Sequence, residues 1–135
     1  DVPDATECAV RRQTSNTPIQ SLTLWNDVVF FEAAQQLARR VVREVPAGMN
    51  TEQVNRARAT QAIRHCLGRA PSQDEVEEVV SLFQDQWRLA GDNAAAVQAA
   101  IGTAAAPEGV TATELSAWVN VGRTLMNLDE FVTRE

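Results

Sequence analysis

Ser72-Gln73-Asp74-Glu75-Val76-Glu77-Glu78-Val79-Val80-Ser81-Leu82-Phe83-Gln84-Asp85-Gln86-Trp87 decides the fold class. Ser72 stands three residues ahead of Glu75, the spacing at which a hydroxyl and a carboxylate each satisfy a backbone N–H at a helix start. Behind that start, Val76, Val79, Val80, Phe83 and Trp87 fall on one face, and Asp74, Glu77, Glu78 and Asp85 fall opposite. A period of 3.6 with one apolar stripe predicts an amphipathic helix whose stripe needs other helices to cover it.

Working outward, the same period recurs on both sides. Upstream, Thr51 reads as the cap of a helix running to about Leu67, with Ala59, Ala62, Ile63, Cys66 and Leu67 inward. Gly68 is its stop, and Pro71 lies beyond. Further upstream, Thr17-Pro18 opens a long helix from Ile19 to about Val45. Its first half is apolar all round (Leu22, Leu24, Trp25, Val28, Val29, Phe30, Phe31), and its second half carries the stripe Ala34, Leu37, Ala38, Val41 and Val42. A half-helix apolar on every side must be covered on every side, by the other helices or by a part of the protein upstream. Downstream, Ala94 to Ile101 is a short Ala-rich helix, and Gly102 to Gly109 is a small-residue loop expected to be mobile. Thr111 to Glu114 repeats the capping spacing before a last long helix with Leu115, Trp118, Val119, Gly122, Leu125 and Met126 on one side. Residues 1–17 read as an extended lead-in. No strand pattern and no internal repeat is present. The expectation is an all-α protein: a compact bundle of four main helices plus one short Ala-rich helix, in a single domain over residues 1–135.

Composition narrows the function classes. At 135 residues with 44% hydrophobic side chains, one core is expected. No apolar run reaches the roughly 18 residues that span a bilayer, so direct membrane insertion is not expected. A net charge of −6 argues against nucleic acid as partner, because duplex binding rests on neutralising phosphates. The arginines Arg39, Arg40, Arg43, Arg56 and Arg58 are dispersed among acids, and aromatic residues sit in the stripes rather than between them. All twelve basic residues are Arg, a bias that fits a GC-rich genome better than a guanidinium chemistry. Cys8 and Cys66 leave two readings open: a disulfide in an oxidising compartment, which would stabilise by roughly 4 kcal/mol, or two free thiols. Neither belongs to a zinc, thioredoxin or haem-attachment pattern.

Two phrases carry a family resemblance. The first is Cys8-Ala9-Val10-Arg11-Arg12, then Asn16-Thr17-Pro18-Ile19-Gln20-Ser21-Leu22, Leu24-Trp25-Asn26-Asp27 and Phe31-Glu32-Ala33-Ala34. The second is Trp118, Arg123 and Leu125 leading into Met126-Asn127-Leu128-Asp129-Glu130-Phe131, with Leu67-Gly68-Arg69-Ala70-Pro71-Ser72 and Glu75 between the two. Together they resemble the C-terminal region of a planctomycete-specific domain of unknown function, found in large exported proteins that often carry a cytochrome c module upstream. The likeness runs over nearly the whole chain and departs at Ile19, Trp25 and the stretch from Ala94 to Pro107. It implies a context: a C-terminal piece of a larger exported bacterial protein, upstream domains as partners, and haem in an upstream module rather than any cofactor in this chain. It implies no reaction.

The candidate motif and interface residues are Arg11, Arg12, Asn16, Gln20, Asn26, Asp27, Asn127, Asp129 and Glu130. The polar groups around Thr17-Pro18 suit capping and anchoring of the lead-in. Asn127, Asp129 and Glu130 suit a helix end more than a cation loop, since glycine is absent from them. Arg11 and Arg12 are expected to pair with Asp129 or Glu130. His65 falls beside Arg58 and Gln61 on the polar side of its helix, about 100° from Cys66, so the adjacent pair is a poor chelate. Asp74, Glu75, Glu77 and Glu78 read as a solvated helix start favoured by the dipole. With no phosphate-binding loop, nucleophile elbow or metal-ligand cluster, two function classes remain. One is a docking or assembly module. The alternative is part of an enzyme active site, carbohydrate-related or redox, completed by upstream domains.

Overall fold

The computed structural model describes residues 20–48 and 50–128, and for residues 20–30 the backbone alone. The described residues form five α-helices and no strand: α1 (Gln20–Glu44), α2 (Thr51–Leu67), α3 (Gln73–Ala90), α4 (Ala94–Ile101) and α5 (Ala112–Met126). This is the expected all-α bundle of four main helices and a short one.

Local chemistry sets the boundaries. In α3 the Glu75 N–H donates to Ser72 Oγ at 3.1 Å, and the Ser72 N–H donates to Glu75 Oε1 at 2.9 Å, completing the capping box. Helix α2 starts one residue earlier in its cap than expected. Asn50 Oδ1, not the Thr51 hydroxyl, accepts from the Gln53 N–H at 3.0 Å, and Thr51 is the first helical residue. Asparagine is the slightly better cap, and its backbone is extended at φ −108°. Gly68 closes α2 at φ 73°, a left-handed conformation that an L side chain resists. Thr111 caps α5 through the Glu114 N–H at 3.0 Å. The Glu114 carboxylate accepts elsewhere, from Arg58.

Helix α5 is the centre of the bundle and touches the other four. Nine of its fifteen residues are buried, among them Ser116, Ala117 and Val121 outside the expected stripe. Among the described side chains, those of α5 are enclosed on nearly every side. Across from it α1 buries Ala34, Leu37, Ala38, Val41 and Val42, as its pattern predicts. Gly122 makes the close approach possible: a Cβ there would lie 3.2 Å from Leu37 Cδ2 and 3.4 Å from Ala34 Cβ. Phe83 of α3 stacks on Trp118 of α5 with centroids 4.4 Å apart, and both rings are buried. Each such burial stabilises by roughly 2–3 kcal/mol.

Two expectations about individual side chains are corrected. Arg58, assigned to the polar side of α2, is fully buried. Its Nε donates to the Val45 carbonyl at 2.8 Å and its Nη1 to Glu114 Oε2 at 3.1 Å, so it ties the end of α1 to the start of α5. Trp87, assigned to the inward stripe of α3, is 45% exposed. The last turn of α3 runs past its neighbours, and Leu89 there is 73% exposed. The loop after α4 is hydrogen-bonded to α1. Arg39 donates to the carbonyls of Ile101, Ala104 and Ala105 at 3.0, 2.9 and 2.7 Å, and Gln35 donates to Ala100 at 2.8 Å.

Candidate functional site

The one face of α5 left polar is built by Asn120, Arg123, Thr124 and Asn127, at positions i, i+3, i+4 and i+7. With Gln86 from α3, these side chains line an open cleft of about 220 Å³. The Arg123 guanidinium lies 4.9 Å above the Phe31 ring of α1, a cation–π contact that holds it at the rim. Thr124 Oγ1 donates back to the Asn120 carbonyl at 3.1 Å. Gln86, Asn120, Arg123 and Asn127 make no side-chain hydrogen bond or ion pair within the described residues. Their donors and acceptors are open to whatever enters.

Beside this cleft the bundle presents an apolar element. The rings of Trp118, Phe83 and Trp87 stack outward from the core, the second pair 5.9 Å apart at 25°. The stack ends in exposed Trp87 and, two residues on, exposed Leu89.

Several other chemistry-bearing side chains are held in structural ties. His65 Nε2 lies 2.9 Å from Glu44 Oε1, joining α2 to the end of α1, and Arg40 Nε lies 2.9 Å from Glu44 Oε2. The hydrogen bond from His65 is the main cause that holds the Glu44 carboxyl below its ordinary value. An orienting partner for the histidine is thus present, 21 residues away and invisible to local pattern. Arg69 forks onto Glu75 at 3.0 and 2.8 Å, and this likewise lowers the Glu75 carboxyl. Burial lowers the Arg58 guanidinium and Glu114 partly offsets it. Cys66 is a free, buried thiol pushed up to about 12 by burial. No group of three His, Cys, Asp or Glu able to hold a metal occurs among the described residues. Three buried polar atoms lack a partner there: Asn55 Oδ1, Arg58 Nη2 and Trp118 Nε1.

Of the residues expected at a site, Asn127 lines the cleft and also ends α5. Gln20, Asn26 and Asp27 lie on α1, where the backbone alone is described. Arg11, Arg12, Asn16, Asp129 and Glu130, and with them the expected ion pairs between the two ends, lie outside the described residues, as does Cys8. Gln86, Asn120 and Thr124 were not among the expected site residues, and Trp87 was expected only in the inward stripe of its helix. The signal available for α5 was the polar i, i+3, i+4, i+7 set on an otherwise apolar helix.

A family model described as PSD1, protein of unknown function (DUF1553), matches residues 1–83. The chain belongs to the DUF1553 family. In this DUF1553 chain the matched residues reach α3 as far as Phe83, so Gln86, Trp87 and all of α5 lie beyond them. No curated protein and no solved structure matches the chain. No helix among the described residues is long and apolar enough to cross a membrane.

Proposed function

We propose that this chain is a docking module that packs against upstream domains of the same exported bacterial polypeptide, and that it is not itself a catalyst. The observation that carries this reading is Trp87. It is exposed, yet its ring is fixed by stacking on Phe83, which in turn stacks on buried Trp118. A large apolar side chain held rigid before contact loses little freedom on binding, and tryptophan is the residue most often found at the energetic centre of an interface. Leu89 extends the same exposed turn. The groups whose protonation is displaced, Glu44, Glu75, Arg58 and Cys66, are each engaged in a tie or enclosed in the core, which favours a structural role for them. Export, a planctomycete source and an upstream cytochrome carrying haem belong to this proposal through the resemblance of the motifs. So does the absence of nucleic acid: Arg39 and Arg58 spend donors on carbonyls and a carboxylate of the bundle, and Arg40 and Arg56 pair with Glu44 and Glu77 at its surface.

The test is light scattering coupled to size exclusion, on this chain mixed with the separately produced upstream part of its protein. A stoichiometric complex is expected, weakened roughly 30-fold or more by Trp87→Ser with Leu89→Ser. Two monomers that ignore each other at tens of micromolar would end the docking reading.

A further inference from the structure

The polar cleft of α5 has a chemistry that the exposed tryptophan does not share. Five arginines, Arg40, Arg56, Arg58, Arg69 and Arg88, meet a carboxylate of the chain, respectively Glu44, Glu77, Glu114, Glu75 and Asp85. Arg39 meets three backbone carbonyls. Among the described residues Arg43, Arg64 and Arg123 meet neither, and of these Arg123 lines the cleft. It sits over Phe31, in a lining whose other described members, Gln86, Asn120, Thr124 and Asn127, are all uncharged. The chain carries an excess of acid, with eighteen Asp and Glu against twelve Arg. A guanidinium paired with none of the described acids, and flanked by amides, is set up for an anion supplied from outside.

We infer that this cleft binds a carboxylate group. A carboxylate presents two coplanar acceptors, the geometry that a guanidinium fork and neighbouring amide N–H groups match. The amide oxygens of Asn120, Asn127 and Gln86 then accept from a donor next to the carboxylate, such as a peptide N–H or a hydroxyl. A volume of about 220 Å³ suits one such group and its immediate neighbours rather than an extended ligand. Two sources offer this chemistry: a small free organic acid, or the side chain of an acidic residue on a polypeptide. The inference rests on the cleft and is independent of Trp87.

Titration of the ¹⁵N-labelled protein, followed through the side-chain amides and the Arg Nε–H signals, tests it. The probes are succinate, a capped aspartate dipeptide, and inorganic phosphate at matched ionic strength. Saturable shifts confined to Gln86, Asn120, Arg123 and Asn127 are expected with a carboxylate probe at about 1–10 mM. The probe that saturates at the lower concentration names the source. Arg123→Met should weaken binding at least tenfold and Arg123→Lys several-fold, since lysine keeps the charge and loses the fork. Gln86→Leu, on the opposite wall, should weaken it about threefold, and unchanged circular dichroism and urea midpoint show that each variant is folded. Absence of saturable shifts to about 100 mM, equal binding of phosphate, or full binding by Arg123→Met would each overturn the inference.

Discussion

Arg58 Nη1 donates to Glu114 Oε2 across 3.1 Å, with the arginine wholly shielded from solvent and the glutamate at the partly open first turn of α5. Its Nε at the same time satisfies the Val45 carbonyl that α1 leaves unpaired at its end. One side chain on α2 thus joins two helices far apart in sequence. Its third nitrogen, Nη2, has no partner among the described residues. Burial works against the charge and Glu114 supports it.

The tie is therefore expected to matter most when broken on one side. Arg58→Ala removes the pair and leaves a cavity, at a cost of about 3–5 kcal/mol. Glu114→Gln leaves a buried guanidinium without its counter-charge and costs about 1–3 kcal/mol. Arg58→Met fills the space without a charge, and its cost should be less than half that of Arg58→Ala. Urea unfolding of the three variants checks the order. Equal losses for Met and Ala would mean that the hydrogen bonds outweigh packing and desolvation at this site.

Gly122 gives a sharper packing test. Alanine there gains up to about 1 kcal/mol of helix propensity. Against that gain, its Cβ would press Leu37 Cδ2 at 3.2 Å, the mobile end of a side chain that can give a few tenths of an ångström. Gly122→Ala should fall within about 1 kcal/mol of the native protein. Gly122→Leu cannot be accommodated by such a shift and should cost about 1–3 kcal/mol or more. Thermal unfolding distinguishes the two, and a well-tolerated leucine would show that α1 and α5 are not in close contact.

How much of this was legible depends on where a side chain's partners lie. The α3 start, Ser72 with Glu75, is written within four residues and is found as read. The buried stripe of α1 from Ala34 to Val42 follows from period alone. Period shows which face turns inward but not how far a helix outruns its neighbours, so Trp87 shares the face of Phe83 and yet is nearly half exposed. Arg58 borders the inward stripe, one turn before Ala62, and its polarity disguised its place. What buries it are residues 13 and 56 positions away. The same separation hid the tie of His65 to Glu44. Of the expected site residues, Asn127 is placed in the cleft. Of the three polar residues before it on the same stripe, Arg123 stood in the family phrase, and Asn120 and Thr124 were hidden by the apolar residues between them.

Acid should weaken the fold through Glu44 and Glu75. Each folded carboxyl lies below the ordinary 4.5, the first chiefly through the hydrogen bond from His65 and the second chiefly through that from Arg69. A depressed folded value means that the folded state binds fewer protons than the unfolded one. The contribution is then complete above the unfolded value and disappears as pH falls through the folded one. Urea midpoints should hold steady near neutral pH and decline below about 4.5. Glu75→Gln should lower the neutral-pH stability by about 1 kcal/mol and flatten that decline. Both pairs are partly exposed, so 1 M salt should reduce the effect. A slope unchanged in Glu75→Gln would assign the acid sensitivity to other carboxyls.

Cys66 is expected to be inert in the folded protein. It is 5% exposed, and its thiol is pushed up to about 12 by burial, so almost no thiolate is present at pH 8. After treatment with reductant, peptide-level mass spectrometry should find residue 66 unalkylated by iodoacetamide under native conditions and fully alkylated in urea. Rapid native labelling would contradict its place in the core between α2 and its neighbours.

Arg39 offers the last test, because it ties a small-residue loop to α1. The carbonyls of Ile101, Ala104 and Ala105 all accept from its two terminal nitrogens, and no other described side chain donates to any of them. Removing a donor that serves exposed carbonyls returns them to water, whereas the part-buried Ile101 carbonyl is left poorly solvated. Arg39→Ala should therefore cost only about 1–2 kcal/mol globally. The local effect should be larger: amide exchange across residues 102–110 should speed up at least tenfold, and proteases should cut there first. Arg39→Lys keeps the charge but cannot fork across several carbonyls, so it should protect the loop only partly. If exchange in the loop were equally fast in all three proteins, Gly102 and Gly109, both at φ 82°, would be setting the loop conformation without help from α1.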